Sequence, residues 1–219
     1  MNTIYYNINV VFTGYNGETI MKKCVILASS SPRRIELLEK AGFDITVSPS
    51  DIDEIVNEDL SPEELVMDLA KQKAHAVKEK LLSEGQDITS PIVAADTIVY
   101  LGRVIGKPKD RNDALAILME LSGKHHSVYT GVCIISPDPA SDDSPMRLSE
   151  RCFSDHTKVY FKSYTPEDLT DYLNTDEPYD KAGAYAIQGY FGRFIDHIDG
   201  DYDNVMGLPI TKLIAELQG

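Results

Sequence analysis

This sequence is short of several things, and each shortage narrows the reading. No apolar run approaches the about 20 residues that a membrane-spanning helix needs, and residues 1–20 lack the basic region and continuous apolar stretch of a secretory signal. A soluble, cytoplasmic protein without a membrane partner is therefore expected. Cysteine is scarce: Cys24, Cys133 and Cys152 are odd in number and far apart, with no C-x-x-C spacing, so neither a disulfide framework nor a zinc knuckle is expected. His125 and His126 adjoin without another ligand type at metal spacing and read as surface turn residues. Cations are in deficit as well, with 21 Lys and Arg against 35 Asp and Glu and a formal net charge of −14. The long-range field repels polyanions, so nucleic acid is not an expected partner. A small phosphorylated ligand stays open, because a few cations converging in a pocket can dominate locally.

What is present is enough for one compact unit, since 219 residues can bury a substantial core. Met21-Lys22-Lys23 before the strand-like Cys24–Ala28 looks like a natural beginning, so residues 1–20 read as an N-terminal extension and 21–219 as the domain. Ser31, Pro32 and Gly42 punctuate a helix over Pro32–Ala41, and Phe43–Val47 is strand-like. Ser61-Pro62-Glu63-Glu64 is a capping box that opens a long helix to about Leu82. Ile92–Leu101 is an apolar, β-branched run, Asp110 caps a helix ending near Gly123, and strands follow at Ser127–Ile135 and Cys152–Phe161. Between those strands, Ser136–Arg147 reads as an exposed hairpin loop. Thr165-Pro166-Glu167-Asp168 opens a short helix, Phe194–Ile198 is a late strand, and Pro209 begins a terminal helix. This alternation predicts the α/β class, with a mixed twisted sheet, flanking helices and a central cleft.

The segment Ala28-Ser29-Ser30-Ser31-Pro32-Arg33-Arg34 joins the first strand to the first helix. A helix N-terminus presents unpaired amides and partial positive charge, which favour acidic residues or a phosphate. Two arginines stand there instead. Serine hydroxyls, amides and guanidinium groups together form a cradle for a triphosphate; the competing account has both arginines solvated or paired with Glu36 or Glu39. Because each cation opposes the helix dipole, removing either arginine should not lower stability.

In Val93-Ala94-Ala95-Asp96-Thr97-Ile98-Val99 an aspartate interrupts an apolar strand, on one face with Ile92, Ala94 and Ile98. A carboxylate there needs water, an ion-pair partner or a metal, so Asp96 is a candidate metal ligand or base, with a structural ion pair as the alternative. Glu54 could add an oxygen ligand for Mg²⁺, or belong to a solvated acidic loop. Lys73, Lys107 and Lys181 are candidate cations, though each singly is more often an ordinary solvated lysine. Ala182 to Gly189 is crowded with small residues that permit close approach to a flat ligand, and Gln188 offers both a donor and an acceptor.

Leu27–Arg34, Ala95-Asp96-Thr97, Gly106-Lys107-Pro108, Leu121-Ser122-Gly123 and Asp180–Gly189 occur in the order seen in Maf proteins, and the chain from about Met21 onward resembles that family. The resemblance implies a fold shared with the inosine triphosphate pyrophosphatases, a divalent cation (Mg²⁺ or Mn²⁺), a homodimer, and hydrolysis of a nucleoside triphosphate to monophosphate and pyrophosphate. It makes Asp96 the proton acceptor and puts Arg33, Thr97 and Gln188 at positions that look like specificity determinants. Ser29, Ser31, Arg34, Lys73, Lys107 and Lys181 would meet the substrate, with Glu54 and Asp96 at the metal.

Asp-Thr and Ile-Gln-Gly resemble the dTTP and UTP branch, whereas the branch acting on N7-methylguanosine triphosphate tends to carry Asp-Gln and Glu-Gly. Uracil and thymine offer acceptor, donor and acceptor along one edge, which an amide matches in part, while guanine's adjacent donors suit a carboxylate. The family is also associated with arrest of septum formation. That non-enzymatic role would need a protein-binding surface, and the sequence shows no apolar stripe for one.

Overall fold

The computed structural model describes residues 9–13, 19–138 and 147–218, with side chains from Lys23 onward. The chain forms strands β1 (Asn9–Thr13), β2 (Thr19–Leu27), β3 (Phe43–Val47), β4 (Ile92–Tyr100), β5 (Val104–Ile105), β6 (His125–Pro137), β7 (Leu148–Phe161) and β8 (Ile195–Asp199). Helices α1 (Pro32–Lys40), α2 (Pro62–Ser83), α3 (Arg111–Leu121), α4 (Tyr202–Met206) and α5 (Ile210–Gln218) flank the resulting sheet. Its order is β1-β2-β4-β6-β7-β8, with β3 beside β2 and β5 beside β4. The β2 pairings with β3 and β4 are parallel and the others antiparallel, so the mixed sheet expected from the sequence is present. β2 starts at Thr19, upstream of the strand read from sequence, and pairs with β1. Residues 1–8 and 14–18 of the expected extension, and 139–146 of the expected hairpin loop, lie outside the described residues.

Local chemistry explains most boundaries. The Ser61 capping box is fully formed at α2, and Asp110 accepts from the Asn112 and Asp113 amides at α3. At Thr165 the outcome differs: the Thr165 and Asp168 side chains bond reciprocally, yet turns follow and then a single 3₁₀ turn, Tyr172–Asn174. The Thr175 hydroxyl and amide both take the Tyr172 carbonyl, a local alternative to continuing the helix.

Two readings are corrected. His126 is no surface turn residue: β6 begins two residues earlier than expected, which puts His126 in phase with the inward Val128, Thr130 and Val132, only 1% exposed. Its Nε2 lies 2.7 Å from the Tyr185 hydroxyl, and burial lowers its pKa to about 3. Cys133 and Cys152, 19 residues apart, face each other across β6 and β7 and are joined as a disulfide, a pairing set by strand register rather than by Cys spacing. Glu150 brings a carboxylate oxygen close to both sulfurs.

Among the described residues four apolar clusters meet on the sheet, and β4 runs through all of them. Val93 and Ala95 join α1 and α5 in one core, while Val99, two turns of the pleat further on the same face, belongs to a second core with α3 and β8. On the opposite face Ile92 and Ala94 pack beneath α2, and Ile98 enters a small cluster at the start of that helix. Asp96 and Thr97 fall at the break on both faces.

Candidate active site

A cleft of about 1060 Å³ opens where those cores part. Ser29, Ser31, Arg33, Arg34, Glu54, Lys73, Asp96, Thr97, Lys107, Lys181 and Gln188 all line it. Residues spread over 160 positions of sequence thus converge where β4 brings its two polar residues, Asp96 and Thr97, to the break between the apolar clusters.

The acidic side is organised by α2. Gly131 on β6 lies opposite Asp96, and a Cβ there would come within 2.2 Å of the Val66 backbone, so the glycine lets α2 lie directly on the sheet beside Asp96. From this helix Lys73 reaches Asp96 Oδ1 at 2.5 Å and Glu54 Oε1 at 2.9 Å. Lys73 and Asp96 are each only 14% exposed, so their attraction is less screened than that of a surface pair. The ion-pair account of Asp96 therefore holds, but within the cleft rather than in a sealed core. Glu54 is not a free solvated carboxylate; its loop is tied to α2 by Gln72, which bonds both the amide and the carbonyl of Ile55.

The opposite side carries Arg34. Its Nε donates to the Gly207 carbonyl at 2.8 Å, Nη1 to Ser29 Oγ at 3.2 Å and Nη2 to Thr97 Oγ1 at 3.2 Å. Every one of these acceptors is neutral, so among the described residues the guanidinium is held without a carboxylate in contact. Desolvation lowers the Arg34 pKa, and Asp96 pulls it partly back upward; the group stays a cation. Glu36 pairs with Lys40, which leaves the alternative of Arg–Glu pairing along the helix unsupported for that residue. Ser31 sits at the N-cap of α1 but makes no capping hydrogen bond with its side chain, and the first turn holds no acidic residue. The start of α1 is thus left without a side-chain cap where Ser31 lines the cleft. Three hydrogen bonds also revise the stability expectation: Arg34 supports the fold as well as the site.

The far wall is a second loop system. Gly183, at φ +74°, donates its amide to the Gly106 carbonyl, which stitches the Gly106-Lys107-Pro108 loop to the turn carrying Lys181. Lys181 Nζ bonds the Glu177 carbonyl at 2.7 Å and Asp180 Oδ1 at 2.5 Å, so it is oriented by its own loop. Gln188 is exposed at the rim. Leu121-Ser122-Gly123, by contrast, is architectural: Ser122 Oγ exchanges hydrogen bonds with the Tyr164 backbone at the end of α3.

Several contributors escaped the sequence reading. Thr130 on β6, Asn204 in α4 and Gly207 just after it support Thr97 and Arg34 from more than thirty residues away, and only the αL position of Gly207 left a trace, as a helix C-terminal glycine.

Known proteins share this sequence closely. The Maf-like protein family matches residues 24–219. A dTTP/UTP pyrophosphatase of Caldicellulosiruptor bescii is 47% identical over 199 residues, covering 90% of this chain and 94% of that protein. A dTTP/UTP pyrophosphatase of Bdellovibrio bacteriovorus is 42% identical over 190 residues, covering 87% and 95%. Among solved structures, the Staphylococcus aureus Ham1 protein is a remote likeness, with a TM-score of 0.45 and 16% identity over 90% of this chain and 99% of that one.

Proposed function

Because the chain belongs to the Maf family, we propose that it hydrolyses a pyrimidine nucleoside triphosphate, dTTP or UTP, to the monophosphate and pyrophosphate. Relatives of that name align over nearly the whole chain. The observation that carries the reading is the pairing of opposites in one cleft: a cation held only by neutral acceptors at Arg34, and two carboxylates held by one ammonium at Lys73. The first suits a polyphosphate and the second suits a divalent cation or an attacking water.

In this reading water attacks the α-phosphorus, the bond from that phosphorus to the bridging oxygen breaks, and pyrophosphate leaves. Asp96 accepts the proton of the water and aims its oxygen. The two remaining N–H groups of Arg34, together with Arg33, Lys107 and Lys181, offset the charge that develops on the leaving group. Ser29 and Ser31 with the first amides of α1 complete the phosphate cradle. Glu54 and Asp96 would hold Mg²⁺ or Mn²⁺: they already converge on one cation, and such ions take a few carboxylates plus phosphate oxygens and water. When bound, the ion supplies electrostatic stabilisation to phosphate oxygens. The family resemblance gives base selection to Thr97, beside Arg34, and to Gln188, at the rim of the far wall.

The test is to incubate the purified protein with UTP, dTTP, CTP, ATP, GTP and N7-methyl-GTP, with Mg²⁺ or Mn²⁺, and to assay pyrophosphate against orthophosphate. Pyrophosphate from UTP and dTTP is expected. Orthophosphate as the product, or a purine preference, would defeat the proposal.

A further inference from the structure

A disulfide needs nothing from a carboxylate, so an acidic side chain set against two sulfurs asks for a separate reason. Cys133 on β6 stands directly opposite Cys152 on β7, and Glu150, two residues earlier on β7, shares their face of the sheet. One Glu150 oxygen and the two sulfurs all lie within 4.8 Å of one another. Cys133 is fully buried in the apolar cluster that includes Ala74 and Val77 of α2, whereas Cys152 is half-buried and Glu150 opens to water. The trio thus has an apolar floor and a wet side. None of the three lines the cleft.

The carboxylate is held from α2. Lys71 and His75, four residues apart on one side of that helix, both reach it: Lys71 Nζ lies 2.6 Å from Oε1, and His75 Nε2 contacts Oε2. Lys78 Nζ lies 3.2 Å from His75 Nδ1. An ammonium only donates, so Nδ1 accepts and the ring proton sits on Nε2, which donates it to Glu150. Each carboxylate oxygen accepts one hydrogen bond in this way and keeps a further lone pair. Such support is what a carboxylate that binds a metal takes from its neighbours. The charges also balance. Two thiolates and one carboxylate carry three negative charges, a divalent ion cancels two, and the Lys71 ammonium offsets the third.

We propose that the reduced Cys133 and Cys152 thiols, together with Glu150, form a binding site for Zn²⁺, and that the disulfide is the form that releases it. Zn²⁺ bonds thiolate sulfur at about 2.3 Å and carboxylate oxygen at about 2.0–2.2 Å, and takes four ligands, so three from the protein and one water complete it. A dithiol reductant opens the site: it gives two electrons and two protons to the S–S bond, which breaks into two thiols, and closes to its own disulfide. Zn²⁺ then displaces both thiol protons to water, because the thiolate is the ligand. Thiolate donors select Zn²⁺ over Mg²⁺, which separates this site from Glu54 and Asp96. It stands whether or not the cleft hydrolyses nucleotides.

The experiment reduces the full-length protein under native conditions with a phosphine, which is converted to its oxide, and removes the reagent. Co²⁺ is then titrated in excess Mg²⁺, and the thiolate-to-metal charge-transfer band is read in wild type, Cys133→Ser, Cys152→Ser, Glu150→Gln and Cys24→Ser, with melting temperatures alongside. Carboxylates alone cannot give that band, so an ion in the cleft does not imitate it. One Co²⁺ per chain should saturate the band in reduced wild type, Zn²⁺ should abolish it, and the oxidised protein should show none. Cys133→Ser and Cys152→Ser should lose it and Cys24→Ser should keep it. Glu150→Gln should need at least about tenfold more Co²⁺ for half-saturation, the lower end of what loss of a ligand's own support costs. Should Cys133→Ser not fold, Cys152→Ser, at a half-buried position, decides alone. A reduced wild type without the band, an equal band in the oxidised protein, a band that survives Cys152→Ser or vanishes in Cys24→Ser, or an unchanged affinity in Glu150→Gln overturns the proposal. So does a disulfide that the phosphine cannot open in the folded protein.

Discussion

Arg34 and Lys73 are cations facing one cleft, but the protein holds them in opposite ways. Lys73 is compensated: two carboxylates meet its ammonium, and the pair with Asp96 is mostly shielded from water. Arg34 is held differently: among the described residues its hydrogen-bond acceptors are three neutral oxygens, and Asp96 and Glu54 act on its charge only at longer range. A cation held by carboxylates marks a place where positive charge is wanted and can be exchanged. One held by carbonyl and hydroxyl oxygens marks a place where an anion is awaited. In the proposed reaction this contrast gives the cleft a water-activating side and a phosphate side.

The largest expected effect comes from Asp96→Asn, which removes one carboxylate from Lys73 with little change of shape. Turnover should fall about 10²- to 10⁴-fold, the range for loss of a positioned acid or base, while the melting temperature changes little. Near-normal kcat in the folded variant would remove Asp96 from the chemistry.

Arg34→Ala sharpens the contrast from the other side. It should raise KM for the triphosphate and also destabilise the protein by about 1–3 kcal/mol, because three hydrogen bonds of the fold are lost. Arg33→Ala should weaken binding without that loss. Equal melting temperatures for the two variants would mean that Arg34 does not brace α1 against Gly207.

Gly131→Ala tests how Lys73 is delivered. A methyl group would collide with the Val66 backbone, so α2 must lift, at a cost of about 1–3 kcal/mol. Turnover should drop more than the binding of inorganic pyrophosphate, which depends on the opposite wall. Parallel losses in both would count against the division of the cleft.

At neutral pH the smallest effect is that of His126, which appears only in acid. His126 has a pKa of about 3 in the folded protein against an ordinary 6.5, so between these values the unfolded chain binds the extra proton. Stability therefore falls as pH drops through that window, with a contribution approaching about 1.4 kcal/mol per pH unit. Urea unfolding at pH 7 and pH 5 should show a slope reduced by up to one proton in His126→Gln. An identical slope would place the acid sensitivity elsewhere.

Much of the site was legible in advance because its residues violate local rules. Arginines at a helix N-terminus and an aspartate in a buried strand are both locally unfavourable, and both lie on the cleft. Glu54 and Lys73 were visible as candidates, but nothing local said that they would meet, since that depends on where α2 lies against the sheet. Thr130 and Asn204 were not legible at all. A threonine in a strand and an asparagine in a polar segment are ordinary locally, and only the contact between β6 and α4 turns them into a hydrogen-bonded support beneath Thr97.

The same division holds for the fold. Capping residues, β-branched runs and small-residue turns act over a few positions, so the sequence by itself determined the starts of α1, α2 and α3 and the existence of β3 and β4. Strand register and burial act between residues distant along the chain. Only the tertiary structure decided that Cys133 meets Cys152, that His126 turns inward, and that Lys73 stands between two carboxylates while Arg34 stands among none, because each depends on which strand lies beside which and on how closely α2 approaches Gly131.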